Sequence, residues 1–479
     1  MTRMRRAAAV MLTRGAGPEV SVLLVERVRE LRFFGGYFAF PGGTLDPGDP
    51  DPAHCAVREL REEIGLELEV KDLLPLGRLT TPEFAPVRYE TEFFLARCPE
   101  GREPSPCCGE LASVRFVDPA EALAEWRAGE TAIVPPVLFF LEEAAKGFEG
   151  FRERARAGIR ELERGRLHPV FFRPGILLAA LRTATLPPAT TTNCLLVGEA
   201  RVHVVDPGTM EEGELRRLFD LLDGFRAEGR KLEGILLTHD HPDHCGGAIP
   251  VAERYGIPVR AHFLSLQHLP EGLDRRPLAE GDRLELGRSP DGRPGWSLHA
   301  VETPGHHPGH LVFFEDRYRS LIAGDLVSTV STILIDPPEG RLADYLDSLR
   351  RVRALRPETL FPAHGPAVQD GVALLDRFLE HRREREELCL EALAEGPRTR
   401  EELLPLVYAD TEPLLHAAAS RSLLAGLRKL EEEGRVRVEE GRWRLETGSV
   451  SDGAPPEPGG KGFMEGGSRR RGGGPPLPL

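Results

Sequence analysis

Four side chains that bind transition metals fall within six positions, His239, His241, Asp243 and His244, directly behind the apolar run Gly234-Ile235-Leu236-Leu237. Neutral imidazole and carboxylate are good ligands for zinc and related divalent ions. His239 and His241 alternate and can point together at one ion; Asp243 and His244 can then reach a neighbouring one. Related residues recur at the ends of later apolar runs. Thr303-Pro304-Gly305-His306 is followed by His307 and His310, Ala323-Gly324-Asp325 closes a second run, and Pro362-Ala363-His364-Gly365 closes a third. Strand ends are where a layered fold places its loops and its chemistry. The chain therefore calls for a layered α/β architecture with metal chemistry at one edge.

At 479 residues the chain exceeds one ordinary core, so two to four domains of about 100–200 residues are expected. Residues 1–165 alternate strand-like runs with a helix over Pro52–Ile64, and helical, charge-rich sequence covers Leu141–Arg166. A Pro-bearing stretch near His168–Pro174 marks a boundary. Residues 166–377 repeat short apolar strands that end in polar residues. Residues 378–446 are helical and then read as a hairpin around Glu439-Glu440-Gly441. Residues 447–479 collapse to Gly, Pro, Ser and Arg and are expected to be disordered. The fold class expected is α/β and α+β, multidomain.

In order and setting, the histidines and aspartates of the centre resemble the metallo-β-lactamase superfamily, whose fold is an αβ/βα sandwich with one or two metals at the sheet edges. The resemblance implies His239, His241 and His306 as ligands of one metal, Asp243, His244 and His364 as ligands of the second, and Asp325 as the bridge. The cofactors expected are two divalent metals, zinc first, with iron or manganese as alternatives. A metal-bound hydroxide would attack an ester, thioester or phosphodiester. Asp243 could also orient the attacking water. His310 is a candidate catalytic donor to a developing oxyanion, or else a partner that holds His306. His307 reads as a bystander.

A second constellation lies upstream. Arg58-Glu59-Leu60-Arg61-Glu62-Glu63-Ile64-Gly65-Leu66 places Glu59, Glu62 and Glu63 on nearly one helix face. Like charges at that spacing destabilise a helix unless a cation gathers there, and oxygen-only ligands suit Mg2+ or Mn2+ bound with a diphosphate. With Phe40-Pro41-Gly42-Gly43 upstream, this resembles Nudix hydrolases over about Arg6–Val117. The resemblance implies an α/β/α sandwich, with Glu59, Glu62 and Glu63 as metal-binding and catalytic residues acting on a nucleoside- or CoA-type diphosphate. One departure stands out. The box positions for a Gly and a Glu hold Thr44 and Pro50, whereas a slide of one residue recovers Gly43 and puts Asp49 at the acidic position. The loop then carries one extra residue, with Asp49 or Asp46 as stand-in. Phe33, Phe34, Tyr37 and Phe38 either bound a substrate pocket or belong to the core.

The third region resembles the winged helix of lactamase-like single-strand endoribonucleases, a branch that shades into glyoxalase II-type thioesterases. His381 and Arg382 either contact a substrate anion or sit on a solvated helix. An endoribonuclease whose Nudix-like part is a ligand-binding regulator is the alternative function. The net charge of −14 argues against broad, charge-driven binding to nucleic acid or anionic membrane. The partners expected are thus a small ester, thioester or diphosphate, with RNA and a homodimer left open and no membrane. Seven cysteines without a Cys-x-x-Cys pair exclude a disulfide scaffold. No apolar run approaches the roughly 20 residues of a membrane span, and the short N-terminal run lacks a cleavage site. A cytoplasmic location is expected.

Overall fold

The computed structural model describes residues 4–446, apart from 32–33, 86, 164–166 and 168–169. The expected disordered tail, Phe33 and part of the expected boundary near His168 lie outside the described residues.

Alternation along strand Arg5–Arg14 decides the first layer structure. Ala8, Val10 and Leu12 face Cys55, Ala56, Leu60 and Ile64 of helix Pro52–Ile64. Met11 faces the opposite way, into a core of Val22, Leu24, Trp126, Leu138, Phe140 and Phe151. Helices therefore cover both faces of one sheet, as expected for an α/β/α sandwich. The strand runs parallel to Tyr89–Arg97 and antiparallel to Ser21–Arg27 and Gly42–Thr44. The helix starts where Asp51 Oδ1 accepts from the backbone N–H groups of Ala53 and His54 (2.9 and 3.0 Å), which satisfies donors that helix geometry leaves free. It stops at Gly65, whose φ of 67° suits a left-handed cap. The helical stretch expected over Leu141–Arg166 is two helices, Pro135–Ala145 and Phe151–Glu163. Gly147 and Gly150 between them take φ of 104° and 65°, which ends one helix before the next begins.

The centre is two sheets face to face. One has seven strands and the other six. Leu178, Leu195, Val205 and Leu236 of the first meet Trp296, Leu298, Leu311, Phe313 and Phe361 of the second in one core. Helices Glu212–Ala227 and Ala248–Tyr255 cover the outer face of the first sheet. Helices Leu342–Ala354 and Gly371–Ala394 cover the second. This is the αβ/βα sandwich. The strands Lys231–Leu236 and Ser320–Gly324 and the turn before Leu311 end at the same rim, where the Leu311 N–H donates to the Thr238 carbonyl (2.7 Å) across the two sheets.

The third module is built on helices Arg400–Val407 and His416–Glu432 with the hairpin Val436–Glu439/Arg442–Leu445. It shares the single helix Gly371–Ala394 with the centre, so position 377 lies inside regular structure rather than in a linker. No helix among the described residues is long and apolar enough to cross a membrane.

One buried carboxyl makes the fold pH-sensitive. Glu315, fully buried, accepts from Trp296 Nε1 (2.5 Å) and from the backbone N–H groups of Arg317 and Tyr318 (2.8 and 2.9 Å). Burial outweighs these donors and pushes its pKa up to about 7. The neutral carboxyl therefore contributes stability below the unfolded value near 4.5, and that contribution is lost as pH rises through 7. Glu315→Gln should remove this dependence. The unfolding free energy of wild type relative to the variant, from urea titrations, should fall between pH 4.5 and 7 by at most about 3 kcal/mol; parallel curves would refute the assignment.

Candidate functional site

The strand Lys231–Leu236 delivers Thr238 and His239 into the sandwich rim, and Pro242 starts a short helix that carries Asp243 and His244. Among the described residues, ligand atoms converge within 4.8 Å of one another in three groups: His239, His241 and His306; His239, His244 and Asp325; Asp243, His244 and His364. His241 Nδ1 lies 2.8 Å from His239 Nε2 and 3.1 Å from His306 Nε2. Asp325 lies between the groups, its oxygens 3.5 Å from His244 Nε2, 3.5 Å from His306 Nε2 and 3.4 Å from His364 Nε2. Asp243 lies 3.6 Å from His364.

The outward nitrogens are tied down. His306 Nδ1 donates to the Leu334 carbonyl (2.7 Å), His364 Nδ1 to the Thr191 carbonyl (2.9 Å) and His244 Nδ1 to Asp206 (2.9 Å). Each Nε2 is thereby aimed at the centre, where the neutral form of the ring offers a lone pair. His244 Nε2 and Asp325 Oδ1 are buried without a hydrogen-bond partner among the described residues. Buried groups of this kind are normally satisfied. A divalent cation fits both atoms and the whole donor set.

The charges are matched in the same way. Burial and the neighbouring imidazoles drive His239 far below the usual imidazole range, and burial takes His306 down to about 4. Against burial, the Asp325 and Asp206 carboxylates hold His244 above that range. Against burial too, His364 and His244 hold Asp325 well below the usual carboxylate range.

Two expectations need correcting. His310 neither faces a reacting oxygen nor holds His306. Its Nε2 accepts from the Asp325 backbone N–H (3.1 Å), its Nδ1 pairs with the Thr303 hydroxyl (2.8 Å), and it is almost fully buried. Both nitrogens are committed, so it fixes the Asp325 backbone. Arg382 neither contacts a substrate anion nor lies on a solvated face. It is buried, donates to the Ile333 carbonyl and stacks over the Tyr345 ring. His307 is buried against Asp240 (3.1 Å) outside the three groups.

Asp206 was not anticipated. Besides His244, it accepts from the Thr238 N–H (2.8 Å) and hydroxyl (2.7 Å). Its signal in the sequence was the run Val202–Val205 ending in Asp206-Pro207-Gly208, the same form as the run before Asp325.

The upstream helix meets its loop closely. Asp49, 7% exposed, grips Arg58 with both oxygens (3.1 and 2.8 Å), so the shifted Asp49 is the brace. A Cβ on Gly43 would sit 2.3 Å from a Glu59 oxygen. The Gly42 N–H donates to Glu63 (2.9 Å), whose pKa burial pushes up to about 7; burial also raises that of Glu59. Glu59 and Glu63 line a cleft of about 2320 Å3. Glu62, half-exposed, pairs with Arg61 (3.5 Å) and with the same Arg58 nitrogen that bonds Glu59 (3.0 and 2.9 Å), so it lies beside Glu59 as expected but outside the cleft lining.

Family models match all three parts of the chain. The family model described as Metallo-beta-lactamase superfamily matches residues 187–364, NUDIX domain matches 3–135, and Beta-lactamase associated winged helix domain matches 399–443. A Beta-lactamase-like protein 2 homolog of Drosophila melanogaster is 25% identical over 260 residues, covering 52% of this chain and 84% of its own. Its counterpart in Caenorhabditis elegans is 28% identical over 251 residues, covering 51% and 80%. A solved Beta-lactamase domain protein from Burkholderia ambifaria covers 58% of this chain and 93% of its own at 22% identity, with a TM-score of 0.49.

Asp206→Ala frees the His244 ring. Affinity for zinc, read by competition with a chelator, should fall about 10–100-fold, as is typical when a partner of a metal ligand is lost. Unchanged affinity would show that Asp206 serves only to brace Thr238.

Proposed function

We propose that this chain, in which a NUDIX domain precedes a metallo-beta-lactamase domain and a winged helix follows it, is a two-centre hydrolase. In this reading the central site cleaves a small ester or thioester, and the upstream site cleaves a diphosphate conjugate. The convergence of the three ligand groups on Asp325 carries the first half. His239, His241 and His306 would hold one divalent ion, and Asp243, His244 and His364 the other, with Asp325 reaching both. When bound, such ions lower the pKa of water towards neutrality and polarise the oxygen of the scissile bond.

The protein's own contribution is orientation. Asp206, Leu334 and Thr191 fix three imidazoles by their far nitrogens, and His310 fixes Asp325 through its backbone. Asp243, the more exposed of the Asp243–His364 pair, would accept a proton from an attacking water. Upstream, Glu59 and Glu63 would hold Mg2+ or Mn2+ with the diphosphate, and Glu62 would join them by giving up Arg58.

The winged helix favours a small substrate over RNA. On its helix His416–Glu432, Arg421 is paired with Asp336 (3.0 Å) and Lys429 with Glu386 (2.6 Å). A cation held by a carboxylate has to give up that pair to bind a phosphate, which lowers its electrostatic gain on a nucleic-acid backbone.

Separate knockouts test the reading. His241→Ala and Asp325→Ala should each lower kcat/KM on an ester and thioester panel at least about 1000-fold, as expected for loss of a metal ligand. Glu63→Gln should abolish diphosphate hydrolysis and spare ester hydrolysis. Full ester activity in both central variants would sink the first half of the proposal.

A further inference from the structure

Arg382 is a buried guanidinium without an ion pair. It is 5% exposed, its Nε has no hydrogen-bond partner, and no carboxylate pairs with it among the described residues. Its helix neighbours differ: Arg383 pairs with Glu380 and Glu387, and Arg385 with Asp410 (2.8 Å). A buried charge without a counter-charge is costly. Hydrophobic residues of similar volume often replace buried ions at no loss of stability. Packing alone therefore gives no reason for an arginine at this position.

What the guanidinium touches leads to the metal rim by two short routes. One nitrogen donates to the Ile333 carbonyl. The next residue is Leu334, whose carbonyl receives the His306 Nδ1–H (2.7 Å). The guanidinium also lies over the Tyr345 ring, 5.4 Å from the centroid, within cation–π range. The Tyr345 hydroxyl donates to the Leu326 carbonyl (2.8 Å), one residue beyond Asp325. Burial raises the pKa of this phenol; the Arg382 charge opposes the rise and the Asp325 charge adds to it. The same tyrosine packs on the residue before His306, since a Cβ on Gly305 would meet the Tyr345 backbone at 2.3 Å.

The loop 325–341 that carries both carbonyls is also held by the winged module. Asp336 pairs with Arg421 (3.0 Å) and Arg341 with Glu432 (2.8 Å), both on helix His416–Glu432. On the rim side, the loop brings Glu339 Oε2 to 3.5 Å from His241 Nε2. Two of the three candidate ligands of the first metal, His241 and His306, thus meet this one loop.

We propose that Arg382 is a positioning residue for the metal centre. From the helix shared with the winged module it fixes loop 325–341 and Tyr345, and through them the His306 ring and the Asp325 backbone. This rests on reading the central histidines and aspartates as a metal site. Arginine suits the task because one planar group donates along its edge and covers an aromatic face, which an ammonium does not. The third module then contributes to metal affinity without supplying a ligand.

The test uses the full chain stripped of metal and titrated with zinc. Zinc affinity is read by competition with a chelator, beside the melting temperature before zinc is added. Arg382→Met keeps the bulk and removes the charge. It should melt no more than about 4 °C below wild type, while zinc affinity falls about tenfold, as when a partner behind a metal ligand is lost. Arg383→Ala, on the half-exposed neighbour, should match wild type in both readings. Zinc affinity within twofold of wild type in Arg382→Met overturns the proposal, and a lower melting temperature with unchanged affinity confines Arg382 to packing. If Arg382→Met melts lower than the stated limit, Tyr345→Phe, which deletes one hydroxyl, is read instead. Its expected fall is about threefold, that of one lost hydrogen bond, and an affinity equal to wild type overturns the proposal. If wild type binds two zinc ions and the variants match it, the role of Arg382 falls and the metal site stands. If wild type binds none, both fall.

Discussion

The Asp206 carboxylate is the point on which the central rim depends. It takes two bonds from Thr238 and one from His244, so it fixes both ends of the segment that carries four candidate ligands. Burying that many imidazoles and carboxylates is costly unless each has a partner. Here the far nitrogens of His244, His306 and His364 are matched to the Asp206 carboxylate and to the Leu334 and Thr191 carbonyls. The two sheets have to meet at this rim for the matches to exist. The packing of the sandwich core and the geometry of the site are thus two aspects of one arrangement.

The ligand set was legible because metal chemistry narrows the choice of residue types. His and Asp at strand ends read plainly through local motifs such as Thr238–His244 and Pro362–Gly365. What supports them was much less legible. Asp206 lies more than thirty residues before His244, and the groups holding His306 and His364 are main-chain carbonyls that any residue could supply. His310 misled for a related reason. A histidine near a metal motif carries the same letter whether it faces the centre or, as here, accepts from a backbone N–H behind it.

The upstream helix teaches a different lesson. Its expected range, Pro52–Ile64, matched the structure, in which Asp51 caps the start and Gly65 the end. The extra loop residue looked like damage to the box, yet Asp49 reaches Arg58 with both oxygens. A shorter acid placed one position earlier does the bracing. Glu62 adds what a helical wheel does not give: Arg58 bonds both Glu59 and Glu62 through one nitrogen, yet of the three carboxylates Glu59 and Glu63 line the cleft.

The helix Gly371–Ala394 belongs at once to the sandwich and to the winged module. Twenty-four residues span about 36 Å, and Arg382, midway, is anchored to the Ile333 carbonyl and the Tyr345 ring. Such a strut carries load without a hinge. The winged module is therefore mounted on the catalytic body like a bracket on a beam, and cutting the chain between the two would leave an exposed seam on both pieces.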